Sequence, residues 1–139
     1  MSWTEKMKEW GGADVTFLTE DGECITFMVV DEPYEIRGQY DGADTVRIGC
    51  PVVTREGFTL LVVSKRVARR LSKFEPYFKK RAFDLIRHGE HGDVKSKYEL
   101  VYSEEKNIVA DLQAIIKRGI SAEDIADAVA AAEEISAGQ

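Results

Sequence analysis

The pattern of apolar and polar residues predicts two strands, then an amphipathic helix, then two more strands. In the first strand apolar side chains alternate with polar ones, which is typical of a strand with one face in water. Helical spacing begins after Ser64, a residue type that often caps a helix, and Val67, Leu71 and Phe74 form one apolar stripe. Pro76 is expected to end this helix at about residue 75. The four predicted strands span residues 45–53, 58–63, 82–88 and 97–103.

The residues before this region predict a short helix and further strands. The helix is expected over residues 1–10 and a short strand over 15–18. An apolar run at 24–30 indicates a strand buried on both faces. Alternation returns at 34–40, and we expect this stretch to join 45–53 as the two halves of one bent strand.

The last part of the chain changes to helical periodicity. Two helices are expected, over residues 104–118 and 122–136, and each carries an apolar stripe. Together they form a predicted helical hairpin that is too small to be stable alone. We therefore expect the hairpin to dock on the strands or to pair with a partner chain. The predicted organisation is a strand domain with a short N-terminal helix, residues 1–103, and a C-terminal helical appendage, residues 104–139.

Charge is distributed unevenly along the chain. The formal net charge is -6, yet residues 65–97 hold eleven Lys or Arg and only four Asp or Glu. A basic segment of this kind can steer a polyanion to one face, while the acidic remainder keeps the protein soluble. A basic helix face that is simply solvated is the alternative interpretation.

Composition indicates a soluble cytoplasmic protein with no membrane partner. No apolar run has the length of a transmembrane helix, and the N-terminus lacks the apolar core of a signal peptide. Cys24 and Cys50 are the only cysteines and have no CxxC spacing, so we expect buried thiols in a reducing compartment.

The sequence gives little indication of catalysis or metal binding. His88 and His91 lie on a glycine-rich loop with Glu90 and Asp93, but spacing fixes no third ligand and solvated side chains are the simpler interpretation. The sequence contains no nucleophile elbow, phosphate loop or HExxH motif. We therefore predict a protein that is not an enzyme, with no cofactor and no metal.

The order of elements corresponds to a known plan. A five-stranded barrel with a helix between its third and fourth strands is the OB-fold. The predicted fold class is therefore mainly β with α, a five-stranded OB-like Greek-key barrel with a C-terminal helical hairpin.

Four local motifs lie within about residues 15–102: Gly22–Phe27, Arg47–Val53, Ser64-Lys65 and the glycine-containing hairpin Asp84–Leu100. In these motifs the chain resembles bacteriophage-type single-stranded DNA-binding proteins. The resemblance implies an OB-fold, sequence-independent binding and a place in DNA replication or recombination, in the cytoplasm of a viral or prokaryotic host cell. The chain lacks the additional cysteines that some relatives use for zinc, and a helical tail stands where the family has a disordered acidic C-terminus.

The predicted function is binding of single-stranded DNA, or RNA, in the groove of the barrel. Strand and loop cations would contact the backbone across the sheet face that is expected to carry both Arg37 and Arg47, and aromatic rings would stack on bases. The helix cations Arg66, Arg69, Arg70 and Lys73 are expected to face outward and to contribute steering. Tyr77 is left open between packing and stacking, Phe58 is a candidate ring for which core packing is an equal alternative, and Phe78 is expected to pack. The alternative is a protein-interaction module whose C-terminal helices bind a partner protein or a second copy. The predicted nucleic-acid-binding residues are Arg37, Arg47, Arg87, Lys95, Lys97, Tyr34, Tyr40 and Tyr98.

Overall fold

The computed structural model describes residues 15–89 and 97–137, which form a mixed β and α structure with one open sheet. No helix in these ranges is long and apolar enough to cross a membrane. The helix expected over residues 1–10 lies outside the described residues. The strands are β1 Val15–Thr16, β2 Cys24–Val29, β3 Tyr34–Tyr40, β4 Ala43–Thr54, β5 Gly57–Val63, β6 Phe83–His88 and β7 Lys97–Tyr102. The helices are α1 Lys65–Ser72, α2 Ile108–Lys117 and α3 Ala122–Ala137.

The sheet runs in the order β1-β5-β4-β2-β6-β7, and β3 pairs with β4 beside this path. The β1–β5 pair is parallel and the other pairs are antiparallel. No ladder joins β5 to β7 within the described ranges. Side chains connect the segment after β1 to β6 and β7 instead. The Leu18 carbonyl accepts hydrogen bonds from Arg87 Nη1 at 3.4 Å and from Tyr98 Oη at 3.5 Å. Arg70 Nη1 of α1 donates to the Tyr98 carbonyl at 2.7 Å. We call this junction the seam.

The stretch predicted as one bent strand is two strands, so that prediction is wrong. β3 and β4 pair antiparallel from Tyr34 opposite Gly49 to Tyr40 opposite Ala43. The turn between them places both Asp41 and Gly42 at positive φ, a conformation that Asp and Gly tolerate better than most residues. The sheet therefore has more strands than the predicted five.

The main core lies between the inner faces of the strands. β4 contributes Cys50 and Val52, which pack with Phe27, Leu61 and Phe83 and are almost fully buried. Because side chains alternate along a strand, the residues of β4 between them face the opposite side of the sheet, where Pro51 and Val53 are also buried. This strand is thus covered on both faces.

Helix α1 begins at the residue that the sequence predicts. The Ser64 hydroxyl accepts a hydrogen bond from the Val67 amide at 3.3 Å, which is the geometry of an N-cap. The helix ends at Ser72, earlier than expected, and a 3₁₀ turn over Glu75–Tyr77 follows. Phe74 and Phe78 then pack on Phe83, with ring centroids 5.5 and 6.1 Å apart.

Helix α2 packs on the outer face of the sheet, against β2 and β4. Ile108 and Leu112 are buried against Met28, Val53 and Ala82. The start of the helix is also tied to the β4–β5 turn, because Arg55 binds the carboxylates of Glu105 and Asp111 and the Lys106 carbonyl.

Helix α3 packs on a different part of the outer face. Ala128 and Ala132 lie against Ile36, Leu60 and Val62 in a separate apolar cluster. Its last turn reaches β3 so closely that a Cβ on Gly38 would lie 2.4 Å from the Ser136 Cβ. The predicted helical hairpin is therefore not a packing unit, since each helix covers its own strands. Small residues at these positions allow the close approach.

Candidate nucleic-acid interface

A cleft of about 320 Å³ opens at the seam. The ring of Phe17 and the side chains of Arg47, Arg87 and Tyr98 line it, and so does Ser64 at the N-terminus of α1. Three of the predicted site residues, Arg47, Arg87 and Tyr98, are thus brought together in one place. The N-terminal end of a helix carries partial positive charge, so its presence in the wall favours an anionic group.

Arg87 is built into the wall of the cleft. It is only 7% exposed and donates to the Gly89 carbonyl at 2.8 Å and to the Tyr98 hydroxyl at 2.6 Å. Its guanidinium carbon lies 5.6 Å from the centre of the Tyr98 ring. These bonds, with the one to Leu18, hold the seam together. Arg87 therefore positions Tyr98, which differs from the predicted direct contact with a phosphate.

Arg37 and Arg47 lie on opposite faces of the sheet, so the prediction that they share one face is wrong. Arg47 is directly opposite Ile36, on the face that α3 covers, and its guanidinium carbon lies 6.0 Å from the Phe17 ring centre. Arg37 is opposite Val46 on the other face and forms an ion pair of 2.7 Å with Glu35. Only Arg47 belongs to the cleft.

The predicted stacking rings are also separated. Tyr34 is 39% exposed and lies opposite Gly49, away from the cleft. Tyr40 ends β3, and its side chain lies outside the described part of the protein. Phe58 is half-buried in the cluster beneath α3, which supports a packing role. Of the candidate rings whose side chains are described, Tyr98 alone lines the cleft.

The loop before β7 falls partly outside the described residues. These include Lys95, together with Glu90, His91 and Asp93 of the weak metal-site interpretation. Lys97 begins β7 and is exposed opposite His88. The His88 Nε2 lies 3.1 Å from Glu99 Oε1 on the neighbouring strand.

A basic surface adjoins the cleft along α1 and the turn that follows it. We define it by the exposed cations Lys65, Arg66, Arg69, Lys73, Lys79, Lys80 and Arg81. None of these seven forms an ion pair with another described residue. Arg70, predicted to face outward, is half-buried instead and fixed to the Tyr98 carbonyl. That bond connects the basic surface to the wall of the cleft.

Aromatic rings border the basic surface. The guanidinium carbon of Arg81 lies 3.9 Å from the centre of the Tyr102 ring, which is a close cation–π stack. Tyr77 is 48% exposed, and its ring meets Tyr102 edge-on at 6.3 Å. The interleaving of rings and cations at residues 77–81 is visible in the sequence. Tyr102 was missed, because its distance from that stretch along the chain gives no signal.

A second concavity separates α1 from the β2–β3 connection. It has a volume of about 660 Å³ and mostly apolar walls, including Val30, Ala68, Leu71 and Phe78. The charge at its rim is mixed, because the lining includes the carboxylates of Asp31, Glu32 and Glu75 and the lysines Lys79 and Lys80. This groove and the cleft are formed by different sets of residues.

The two thiols are poorly suited to nucleophilic or metal chemistry. Burial raises the pKa of Cys50 to about 12. The pKa of Cys24 is raised chiefly by partial burial and further by the charge of Asp84, although a hydrogen bond with Thr26 lowers it. Both thiols therefore stay protonated at neutral pH, and the thiolate is the reactive and metal-binding form.

Comparison of the chain with protein-family models, with curated proteins and with solved structures found no match.

Proposed function

We propose that this chain binds single-stranded DNA without sequence preference, with the phosphate backbone on the basic surface and bases at the cleft and the neighbouring rings. The observation that carries the proposal is the basic surface itself. In a chain of net charge -6, seven exposed cations lie on one short helix and the turn after it, and none forms an ion pair with a described carboxylate, although Glu75 is exposed in the same segment. Such a surface attracts a polyanion strongly, because binding releases the counterions condensed on the nucleic acid.

The strand connections support an OB-like assignment. β2 pairs with both β4 and β6, β4 pairs with β5, and β6 pairs with β7. With α1 between β5 and β6, this is the connectivity of an OB barrel whose strands are β2, β4, β5, β6 and β7. The β3–β4 extension would then be an elaboration of the first loop. The seam takes the place of the final ladder of a closed barrel.

The binding surface proposed here differs from the usual OB face. OB-folds bind oligonucleotides on the face of their second and third strands, which correspond to β4 and β5. Here α3 packs on that face and carries five acidic residues and no Lys or Arg, which disfavours a polyanion. The nearest positive surface runs from the cleft along α1. The acids of α3 are Glu123, Asp124, Asp127, Glu133 and Glu134.

Rings are available where bases would lie. Tyr98 lines the cleft, and the exposed Tyr77 stands beside the Arg81–Tyr102 stack. Stacking of a base on such a ring contributes about 1–3 kcal/mol and is tolerant of sequence. We expect Tyr77→Ala to weaken binding by an amount in this range.

The test is a fluorescence polarisation titration with labelled oligo-dT at several salt concentrations. Arg66→Ala with Arg69→Ala removes two unpaired cations, so the slope of log K against log salt should become shallower by about 1.4 if both contact phosphates. Arg37→Ala is the matched control, because it also removes an exposed arginine but one already paired with Glu35 on a different surface. It should leave affinity and slope nearly unchanged.

Two results would contradict the proposal. Absence of binding to oligo-dT at low salt would remove the function itself. An equal loss for Arg37→Ala and for the double variant would mean that only overall charge matters and that the basic surface is not a binding site.

The protein-interaction alternative would use the apolar groove beside α1, whose rim shares Lys79 and Lys80 with the basic surface. The apolar sides of α2 and α3 are largely buried against the sheet, so they offer little to a partner. The 660 Å³ groove beside α1 is open and mostly apolar, and an apolar peptide anchor fits its size. Substitution of Phe78 in that groove should not affect the DNA titration, whereas it should abolish binding of a peptide partner.

A further inference from the structure

Two strands that pair with a single neighbour, β7 at one end of the sheet path and β3 beside the path, differ in how their outer edges are protected. At β7, the Tyr98 carbonyl on the outer edge is occupied by Arg70. β3 also has one neighbour, β4, but within residues 15–89 and 97–137 no other strand or side chain bonds to its free edge. Edge strands of this length are normally blocked by a bulge, a proline, charged side chains or a covering element, and of these β3 carries the paired charges of Glu35 and Arg37. β3 keeps a continuous seven-residue ladder with β4 and no bulge in its register.

From this edge we infer that β3 pairs antiparallel with β3 of a second copy of this chain, about a twofold axis at Ile36. The inference is independent of the proposed nucleic-acid binding. An isologous contact of this kind brings the same strand from each copy together and extends both sheets into one.

The charges of β3 select the register. Side chains directly opposite each other must lie on the same face, so only registers that pair residues of equal parity are possible. With Ile36 opposite its own copy, Glu35 of each chain lies opposite Arg37 of the other. Both side chains are exposed, by 49% and 74%, and form an ion pair within one strand, so four alternating charges would form a closed square. Opposite charges facing each other stabilise a strand pair.

The neighbouring registers are unfavourable. A shift of one pair in one direction places Glu35 opposite the second Glu35 and Arg37 opposite Pro33, which has no amide to donate. A shift in the other direction places Arg37 opposite the second Arg37. Like charges directly opposite each other destabilise a strand pair. The central register is thus the complementary one of the three.

Exposed apolar side chains lie beside the same edge. Tyr34 is 39% exposed on β3, and Ile135 is 47% exposed next to Ser136, which packs on Gly38. In the central register Tyr34 of one copy lies opposite Gly38 of the other. Its ring is thereby brought to the end of the partner's α3, where both apolar surfaces leave water.

The test uses charge reversal and sedimentation velocity at low ionic strength. Wild type should sediment as a dimer. Glu35→Arg and Arg37→Glu should each sediment as monomers, because each faces its own copy with like charges. An equimolar mixture of the two variants should form a heterodimer, since one chain then carries two arginines at these positions and the other carries two glutamates. Lys117→Glu, a charge reversal on exposed α2, is the control and should remain dimeric.

Recovery of a dimer in the mixture would show that each variant is folded and lacks only a complementary partner, since misfolded chains do not recover on mixing. A monomeric wild type at high protein concentration would overturn the inference. So would variants that remain dimeric alone, or a mixture that stays monomeric.

Discussion

Leu112→Ala tests whether helix α2 and the sheet form one cooperative unit. The side chain is completely buried among Met28, Val53 and Ala82, so its truncation removes apolar contact and leaves a cavity. Substitutions of this type cost about 2–5 kcal/mol, and about 3 kcal/mol is reasonable for a helix that can relax partly towards the sheet. Whether residues 1–103 and 104–139 are separate domains stays a prediction until this is measured.

The size of the thermal shift follows from the length of the chain. An unfolding entropy of about 2.1 cal/mol/K per residue gives roughly 0.29 kcal/mol/K for 139 residues. A loss of about 3 kcal/mol should therefore lower Tm by roughly 10 °C. Calorimetry is the suitable assay, because agreement between the calorimetric and van't Hoff enthalpies also tests for a single transition.

Val101→Ala serves as the matched control, since it removes methyl groups at a site that is 40% exposed. Its effect should stay within about 0.5 kcal/mol. The reasoning is refuted if Leu112→Ala shifts Tm no more than the control does, or if a separate early transition appears while the main one is unchanged. Either result would make α2 an appendage with its own stability.

Further predictions concern the thiols, the β4–β5 turn and the seam. Maleimide should label Cys24 in the folded protein and Cys50 only after unfolding, as mass spectrometry of labelled chains would show. Because the folded pKa of Cys50 is raised, its contribution to stability is complete below the unfolded thiol pKa of 9.0 and is lost as pH rises towards about 12, so Cys50→Ala should flatten the alkaline fall of Tm. Arg55→Ala should cost about 1 kcal/mol or less in chemical denaturation, because its ion pairs are partly exposed, and Arg55→Lys should not restore the loss. Tyr98→Phe removes an acceptor of Arg87 and should lower Tm by more than Tyr77→Phe, measured under the same conditions.

The sequence predicts the local elements of this protein better than their arrangement. Ser64 and the apolar stripe after it identify α1, because capping and helical periodicity are local properties. The β3–β4 hairpin was misinterpreted although Asp41-Gly42 marks its turn, since period-two alternation is the same in one bent strand and in two paired ones. Helix–sheet docking depends on surfaces far apart in the chain, so the separate positions of α2 and α3 had no local signal.

For the candidate site, too, the sequence predicts residue types better than their positions in the fold. Residue type identifies Arg37, Arg47 and Arg87 equally well as cations on strands. Their roles differ because the register turns Arg37 and Arg47 to opposite faces, and because Arg87 is enclosed by carbonyls and a phenol. Neither register nor enclosure can be obtained from one strand alone. The basic character of α1 is evident in the sequence, but only the fold shows that its exposed cations form no ion pair with the residues at 15–89 and 97–137.

The seam affects how this protein can deform. Among the described strands, every other junction between neighbours along the sheet is a backbone ladder, whose separation would amount to local unfolding. At the seam, the connection consists of the side chains of Arg70, Arg87 and Tyr98 with two carbonyls. Opening the seam would break these hydrogen bonds and separate the apolar side chains packed beneath them, including Leu18, Val63 and Leu100, but it would break no described ladder. Among the described strands, the seam is therefore the junction that can open without the loss of backbone pairing.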